Sequence, residues 1–239
     1  MIGQNSRISE LGLNKSKLIN IIVDPSSSLE PDNRVVLNST VNISSPIHIN
    51  WVTFNYTDTF ESVFGSSAGI IHQYPTVGPD RLLSVLHIHG SLSQKPILGV
   101  NDVSQIANES FRSNHYFLYE FVKPMYNRGC QNNREALFNE MINKADIIVL
   151  MGTSVGVTDS IWWKRIGNEI RPSTSKMILY FPYDPNKDTQ ENECFKSLWS
   201  DEYISFIKEA MGIAMDIESL RNRILVGINK DFLNLRQKK

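Results

Sequence analysis

The chain has 239 residues, 41% of them apolar, which is enough to bury a core of one large α/β domain or a domain with a small appendage. Its 24 basic and 25 acidic residues leave a formal charge of -1, so composition gives no electrostatic argument for nucleic acid or an anionic membrane. The cysteines, Cys130 and Cys194, have no CxxC partner; this excludes a four-cysteine zinc site and argues against a disulfide framework.

Residues 1–46 form a poorly defined N-terminal segment. Ile8 to Ile22 has loosely helical apolar spacing, Asp24-Pro25-Ser-Ser-Ser is turn chemistry, and Val35–Leu37 and Val41–Ile43 have the look of short edge strands. Ile47–Phe54 reads as the first strand of the sheet. Thr59–Phe64 reads as a short helix, capped by Thr57 or Asp58 and carrying Glu61 in its first turn. Gly65–Pro79, with His72 and Tyr74, reads as loop. Leu82–His89 is the second strand, and Pro96–Val100 a short third one ending at Gly99.

Helical spacing recurs over Phe111–Tyr126, with Pro124 near its end, and over Asn132–Lys144, where Leu137, Phe138, Met141 and Ile142 form an apolar stripe. Ala145–Met151 is a buried strand that runs into Gly152-Thr-Ser-Val-Gly. A helix then starts at Thr158 or Asp159 and carries Trp162, Trp163, Ile166 and Ile170 up to Pro172. Lys176–Phe181 is the last predicted strand. Asn186–Leu198, Tyr203–Met215 and Ile217–Leu235 are predicted helices. Strands alternating with helices predict an α/β fold with a mostly parallel sheet flanked by helices over residues 47–239. Absence of a signal-like or long apolar stretch predicts a cytoplasmic protein without a membrane partner.

Chemically capable residues gather where the apolar runs stop. Val52 and Phe54 lead into Asn55, Tyr56, Thr57 and Asp58. Val85, Leu86 and Ile88 are interleaved with His87 and His89, and Gly90 follows at once. In a parallel sheet such groups lie at the carboxyl ends of strands and open into one crevice. Alternation along a strand would face His87 and His89 to the same side. His87 reads equally well as a hydrogen-bonded structural residue, whereas Gly90 lets a ligand come close to His89. An imidazole titrates near neutrality and suits a general base. Asn55 can cap a turn, or hold a hydroxyl or water without charge. Gly152-Thr153-Ser154 between strand and helix exposes backbone N–H groups and hydroxyls suited to phosphate or ribose. Asp159 reads as a helix cap or a hydroxyl ligand, with the cap favoured, and Trp162 and Trp163 as packing residues.

Taken in order, Phe54-Asn55-Tyr56-Thr57, His87-Ile88-His89-Gly90, Ile97-Leu98-Gly99 and Gly152-Thr-Ser-Val-Gly with Asp159 and an aromatic pair resemble the AbiH family of bacteriophage abortive-infection proteins. The resemblance covers about Ile47 to Phe181. That family in turn resembles the sirtuin-like NAD-binding proteins. The resemblance implies a Rossmann-like, sirtuin-like fold and antiphage defence through NAD hydrolysis, with a phage-derived trigger or partner protein. It implies that Asn55 positions ribose or water, that His89 is the base, and that Gly90, Gly152, Thr153, Ser154 and Asp159 line the dinucleotide. Family members normally begin with a strand and a Gly-Asn-Gly-Phe-Asp-like turn that cradles the pyrophosphate; no match is found here, so that Gly-rich unit is expected to be missing, and Thr57 stands where relatives often place Asp. Two other functions remain open: a non-catalytic defence or interaction module, and a metal-dependent hydrolase using the HxH pair with Asp58 or Asp159. Oligomeric state is not fixed by any of these features.

Overall fold

The computed structural model describes residues 23–41, 46–64, 69–74, 78–93, 95–130, 132–182 and 193–227. The fold is mixed α/β, and its described strands are divided between two three-stranded sheets instead of being gathered in one. The first sheet has the order β1-β3-β2, from β1 (His48–Thr53), β2 (Gly69–Tyr74) and β3 (Gly78–His87). β1 and β3 run parallel with Val52 beside Leu86 and Thr53 beside His87, while β2 is antiparallel to β3. The second sheet, β4 (Ile147–Met151), β5 (Met177–Phe181) and β6 (Ile224–Val226), is parallel throughout.

The unbroken apolar run of β5 is explained by cover on both faces. Ile178 and Tyr180 enter a large cluster with Trp162, Ile166, Ile204 and Ile207. Met177, Leu179 and Phe181 enter a second cluster with Leu29, Leu37 and Leu225. This period of two is the pleat itself. Leu86 and Ile88, at the end of β3, join the larger cluster with Trp162 and Trp163, so the two sheets share one core.

Several predicted elements need correction. Val35–Leu37 belongs to helix α1 (Pro31–Thr40), whose start is set by Pro31 in the first turn and whose Leu37 is fully buried under β5. Val41 is the C-cap of that helix. The remainder of the predicted Val41–Ile43 strand and the 8–22 stretch lie outside the described residues. The predicted 65–79 loop contains β2, whose apolar pair Ile70-Ile71 is too short a run to mark a strand among the surrounding Gly, Ser and Pro. Helix α2 (Thr59–Phe64) forms as expected. Pro96–Val100 is not a strand: only an isolated bridge joins Val100 to Val122. The long 111–126 helix is three short ones, α3 (Glu109–Arg112), α4 (His115–Phe121) and α5 (Lys123–Gly129), with Asn108 and Asn114 capping new starts and Pro124 in the first turn of the third.

Helix α6 (Arg134–Lys144) buries Phe138 and Ile142, and α7 (Ser160–Glu169) buries Trp162, Trp163 and Ile166. The two helices predicted within 186–215 are, over the described residues, one helix, α8 (Glu193–Met211). Over the described residues the predicted 217–235 helix is one turn, α9 (Ile217–Leu220), before the chain enters β6, whose three residues are all buried; its 228–235 part lies outside the described residues. Among the described residues no helix is long and apolar enough to cross a membrane.

Helices α7 and α8 meet at Gly167, where a Cβ would lie 2.3 Å from the Met211 carbonyl oxygen and 2.8 Å from its Cβ. Gly167→Ala is therefore expected to spread the two helices and cost about 1–3 kcal/mol. The check is a urea midpoint followed by circular dichroism; an unchanged or raised midpoint would show that the contact can relax.

Candidate functional site

The chain leaves β3 at His87 and turns at once. Gly90 has φ +76 and its N–H donates to the His87 carbonyl at 3.1 Å, a left-handed conformation that favours glycine. The turn carries His89 past the sheet end, where its carbonyl accepts from Ile97 N–H at 2.7 Å. The Tyr56 hydroxyl donates to the Ile97 carbonyl at 2.9 Å, and Leu92 N–H donates to the Tyr56 carbonyl at 2.8 Å. The ends of β1 and β3 are thus tied to Leu92 and Ile97 around one side chain. The His89 ring is edged by Phe54 at 5.7 Å, Tyr56 at 6.2 Å and Trp162 at 6.5 Å between centroids.

His89 is buried, and its Nε2 lies 2.8 Å from Asp159 Oδ1. The same oxygen accepts from Asn101 Nδ2 at 2.7 Å, and this amide also donates to the Thr158 carbonyl. A carboxylate only accepts, so His89 carries its hydrogen on Nε2 and keeps a lone pair on Nδ1. Burial pushes the His89 pKa down; the hydrogen bond to Asp159 opposes this, the Lys123 and Arg134 charges add to it, and the net direction is down. Burial pushes Asp159 up, but the hydrogen bond and charge of His89, the Asn101 amide and the Lys123 charge outweigh it and leave a depressed carboxyl pKa. Lys123 is itself lowered by burial, with Asp159 opposing. At neutral pH the centre holds a neutral imidazole hydrogen-bonded to a carboxylate.

Asp159 sits at the N-cap position of α7 but makes no capping hydrogen bond with its side chain. The preferred cap reading is corrected: the carboxylate reaches back to His89 and Asn101. Trp162 and Trp163 are core residues, as predicted. The structure also separates the two histidines. His87 Nε2 lies 2.6 Å from Glu61 Oε1 and its Nδ1 lies 3.1 Å from the Asn55 carbonyl, so His87 and His89 do not share a carboxylate and do not form an HxH pair on one ion. The strand has ended before His89, which removes the period-two premise.

Asn55 meets His87 through its backbone carbonyl, while its side chain is exposed and makes no hydrogen bond among the described residues. Gly152, Thr153 and Ser154, between β4 and α7, line a cleft of about 470 Å³ together with Tyr180, Tyr203 and Phe206. Gly152 has φ +60, and Val155 has φ +47 although it is β-branched and buried. That conformation costs roughly 1–3 kcal/mol for such a residue and persists only because the surroundings impose it. The Trp163 indole donates to the Gly156 carbonyl at 3.0 Å and helps hold the turn.

Sequence reasoning missed Asn101, Lys123 and Asn127, all buried polar residues. The one available signal for Lys123 was its place in the otherwise apolar run Phe121-Val122-Lys123-Pro124-Met125.

The fold and site define a mixed α/β protein with a buried histidine–carboxylate pair beyond the carboxyl ends of its strands. The family model described as Bacteriophage abortive infection AbiH matches residues 5–181, and the chain belongs to that family. The match spans the His89–Asp159 pair and the Gly152–Ser154 turn, and it reaches well before Ile47. No curated protein and no solved structure matches the chain.

Proposed function

We propose that this AbiH-family protein protects a bacterial population from phage by binding NAD and hydrolysing its nicotinamide–ribose bond. The observation that supports this most directly is the His89–Asp159 pair, with Nε2 committed to the carboxylate and burial, by lowering the pKa, keeping the lone pair on Nδ1. In the proposed reaction the C1′–N1 bond breaks and its electron pair returns to the pyridinium nitrogen, so nicotinamide leaves neutral. A water oxygen bonds to C1′ of the oxocarbenium-like centre, and its proton passes to His89 Nδ1. Asn55 orients that water or the ribose, and Asp159 stabilises the imidazolium that forms. Gly90 allows close approach of the ligand to His89. The Gly152–Ser154 turn and the half-exposed Phe206 ring suit a nucleotide, and the cleft they line, about 470 Å³ and bordered by Glu202 but not by His89, falls in the range of small-molecule sites.

The test is twofold. Purified protein, alone and with phage-infected lysate as trigger, is incubated with NAD, and nicotinamide release is followed by chromatography. In parallel, NAD is measured in infected cells carrying wild type or His89→Ala. The expected result is NAD loss with protection for wild type and neither for the variant. Protection with undiminished NAD would remove the reading, as would NAD cleavage that survives His89→Ala in folded protein.

A further inference from the structure

We propose that Asp58, Glu61 and His87 form a binding site for a divalent transition-metal ion, separate from the His89–Asp159 pair. One ligand atom from each of the three side chains lies within 4.8 Å of the others. Asp58 and Glu61 are three residues apart across the start of α2, a spacing that puts both carboxylates on one side of the turn. His87 enters from the end of β3 with its side chain only 8% exposed.

The hydrogen-bond pattern of His87 identifies what belongs between them. Its Nδ1 faces the Asn55 carbonyl at 3.1 Å, and a carbonyl can only accept, so Nδ1 carries hydrogen. In the neutral ring Nε2 is then an acceptor, and it points at Glu61 Oε1 from 2.6 Å. Two acceptors at that distance need a positive charge between them. A histidine that donates one ring N–H to a backbone carbonyl and turns the other nitrogen to carboxylates is the arrangement found around metal-ligating imidazoles. Glu61 Oε2 is a second sign: it is buried and has no hydrogen-bond partner among the described residues.

Ligand bonds of about 2.0–2.2 Å put neighbouring ligand atoms roughly 3.0–3.4 Å apart, so Glu61 needs to retreat by less than about 1 Å to admit the ion. One imidazole and two carboxylates favour Zn²⁺ or Mn²⁺ over Ca²⁺, whose sites are built from oxygen alone. Bound there, the ion would clamp α2 to the ends of β1 and β3, next to the segment carrying Phe54 and Tyr56. This proposal uses no residue of the His89–Asp159 pair and reads out as binding, so it stands or fails apart from the NAD reading.

Chelator-stripped full-length protein is titrated with Zn²⁺ and Mn²⁺ by calorimetry, and with Co²⁺ by visible absorption. The expected result is one ion per chain and a Co²⁺ spectrum with a nitrogen ligand. Affinity should fall at least tenfold in Glu61→Gln and in Asp58→Asn. His48→Gln and His115→Gln, at exposed histidines, should bind as wild type. His87→Gln should abolish binding; if it does not fold, the two carboxylate variants and the Co²⁺ spectrum decide. Absence of stoichiometric binding, binding unchanged in both carboxylate variants, or equal loss in the exposed-histidine controls would overturn the proposal.

Discussion

Trp162→Ala is expected to lower the free energy of unfolding by about 3–5 kcal/mol, the cost of emptying a large aromatic site in a core that refills only in part. Trp162 is only 1% exposed and is among the largest fully buried side chains. It stands edge-on to Phe138 at 5.1 Å, and the Arg165 guanidinium lies over its ring 4.9 Å from the centroid. The cation contact adds roughly 0.5–1 kcal/mol. The same side chain borders His89, so the cavity would open against the functional pair. Trp162→Phe sharpens the argument. The indole N–H is buried without a hydrogen-bond partner among the described residues, a state that itself costs about 1–3 kcal/mol. Phenylalanine removes that group along with some volume, so the Phe variant should fall well short of the loss in the Ala variant. Urea unfolding read by circular dichroism supplies both numbers, with an unchanged m-value as the sign that only stability moved. A loss under about 1 kcal/mol for Trp162→Ala would mean that α7 is not packed as described.

What could be read from the sequence was the part carried by local pattern. β1 and β3 were visible as apolar runs stopping at polar residues, and the structure places them side by side in parallel register with Val52 beside Leu86. β4, β5 and α7 were equally plain, because a strand covered on both faces and a helix with a Trp-Trp-Ile stripe leave strong signatures. Short elements were not. Ile224–Val226 is three residues long, and with Ile217 and Leu220 upstream its apolar positions fit a helical period as well as a strand. Only pairing with β5, distant in sequence, makes it a strand.

Site residues divide in the same way. His89 and Asp159 were singled out because each follows a recognisable strand or opens a helix. Asn101 follows no strand, and Lys123 begins a helix like many surface lysines. Both become site residues only because Asn101 and the start of α5 are brought against Asp159, which is tertiary information. His87 shows the opposite error. The HxH spacing was legible, but its geometric meaning depended on the strand continuing through His89, and Gly90 ends it early.

Asp159 is the position where stability and chemistry meet, and its replacement by alanine should cost about 2–4 kcal/mol. The buried His89 Nε2–H would lose its acceptor, Asn101 would lose one of its two, and the Lys123 ammonium would lose the charge that offsets its burial. Partial exposure of the Asp159 side chain, 22%, places the expectation toward the lower end of that range. Asp159→Asn keeps an oxygen acceptor and should cost less than the alanine variant, with the charge effect remaining. The pH dependence distinguishes the two contributions. The folded pKa of His89 is below its unfolded value of about 6.5, so folding stability is complete above that pH and is lost as pH falls through the window beneath it, where the unfolded chain takes the proton first. The depressed folded pKa of Asp159 acts in the same direction at lower pH: its contribution is present above about 3.8 and disappears as pH falls through the folded value. Unfolding free energies from urea titrations at several pH values between 7.5 and 3.5, for wild type, His89→Gln and Asp159→Asn, make the comparison. The difference between wild type and His89→Gln should change between pH 7 and 5, and that between wild type and Asp159→Asn should shrink below pH 4. A wild-type-minus-His89→Gln difference that stays constant from pH 7.5 to 5 would mean that the folded protein does not lower the His89 pKa, and that burial of the ring against Asp159 does not hold it neutral below its ordinary range.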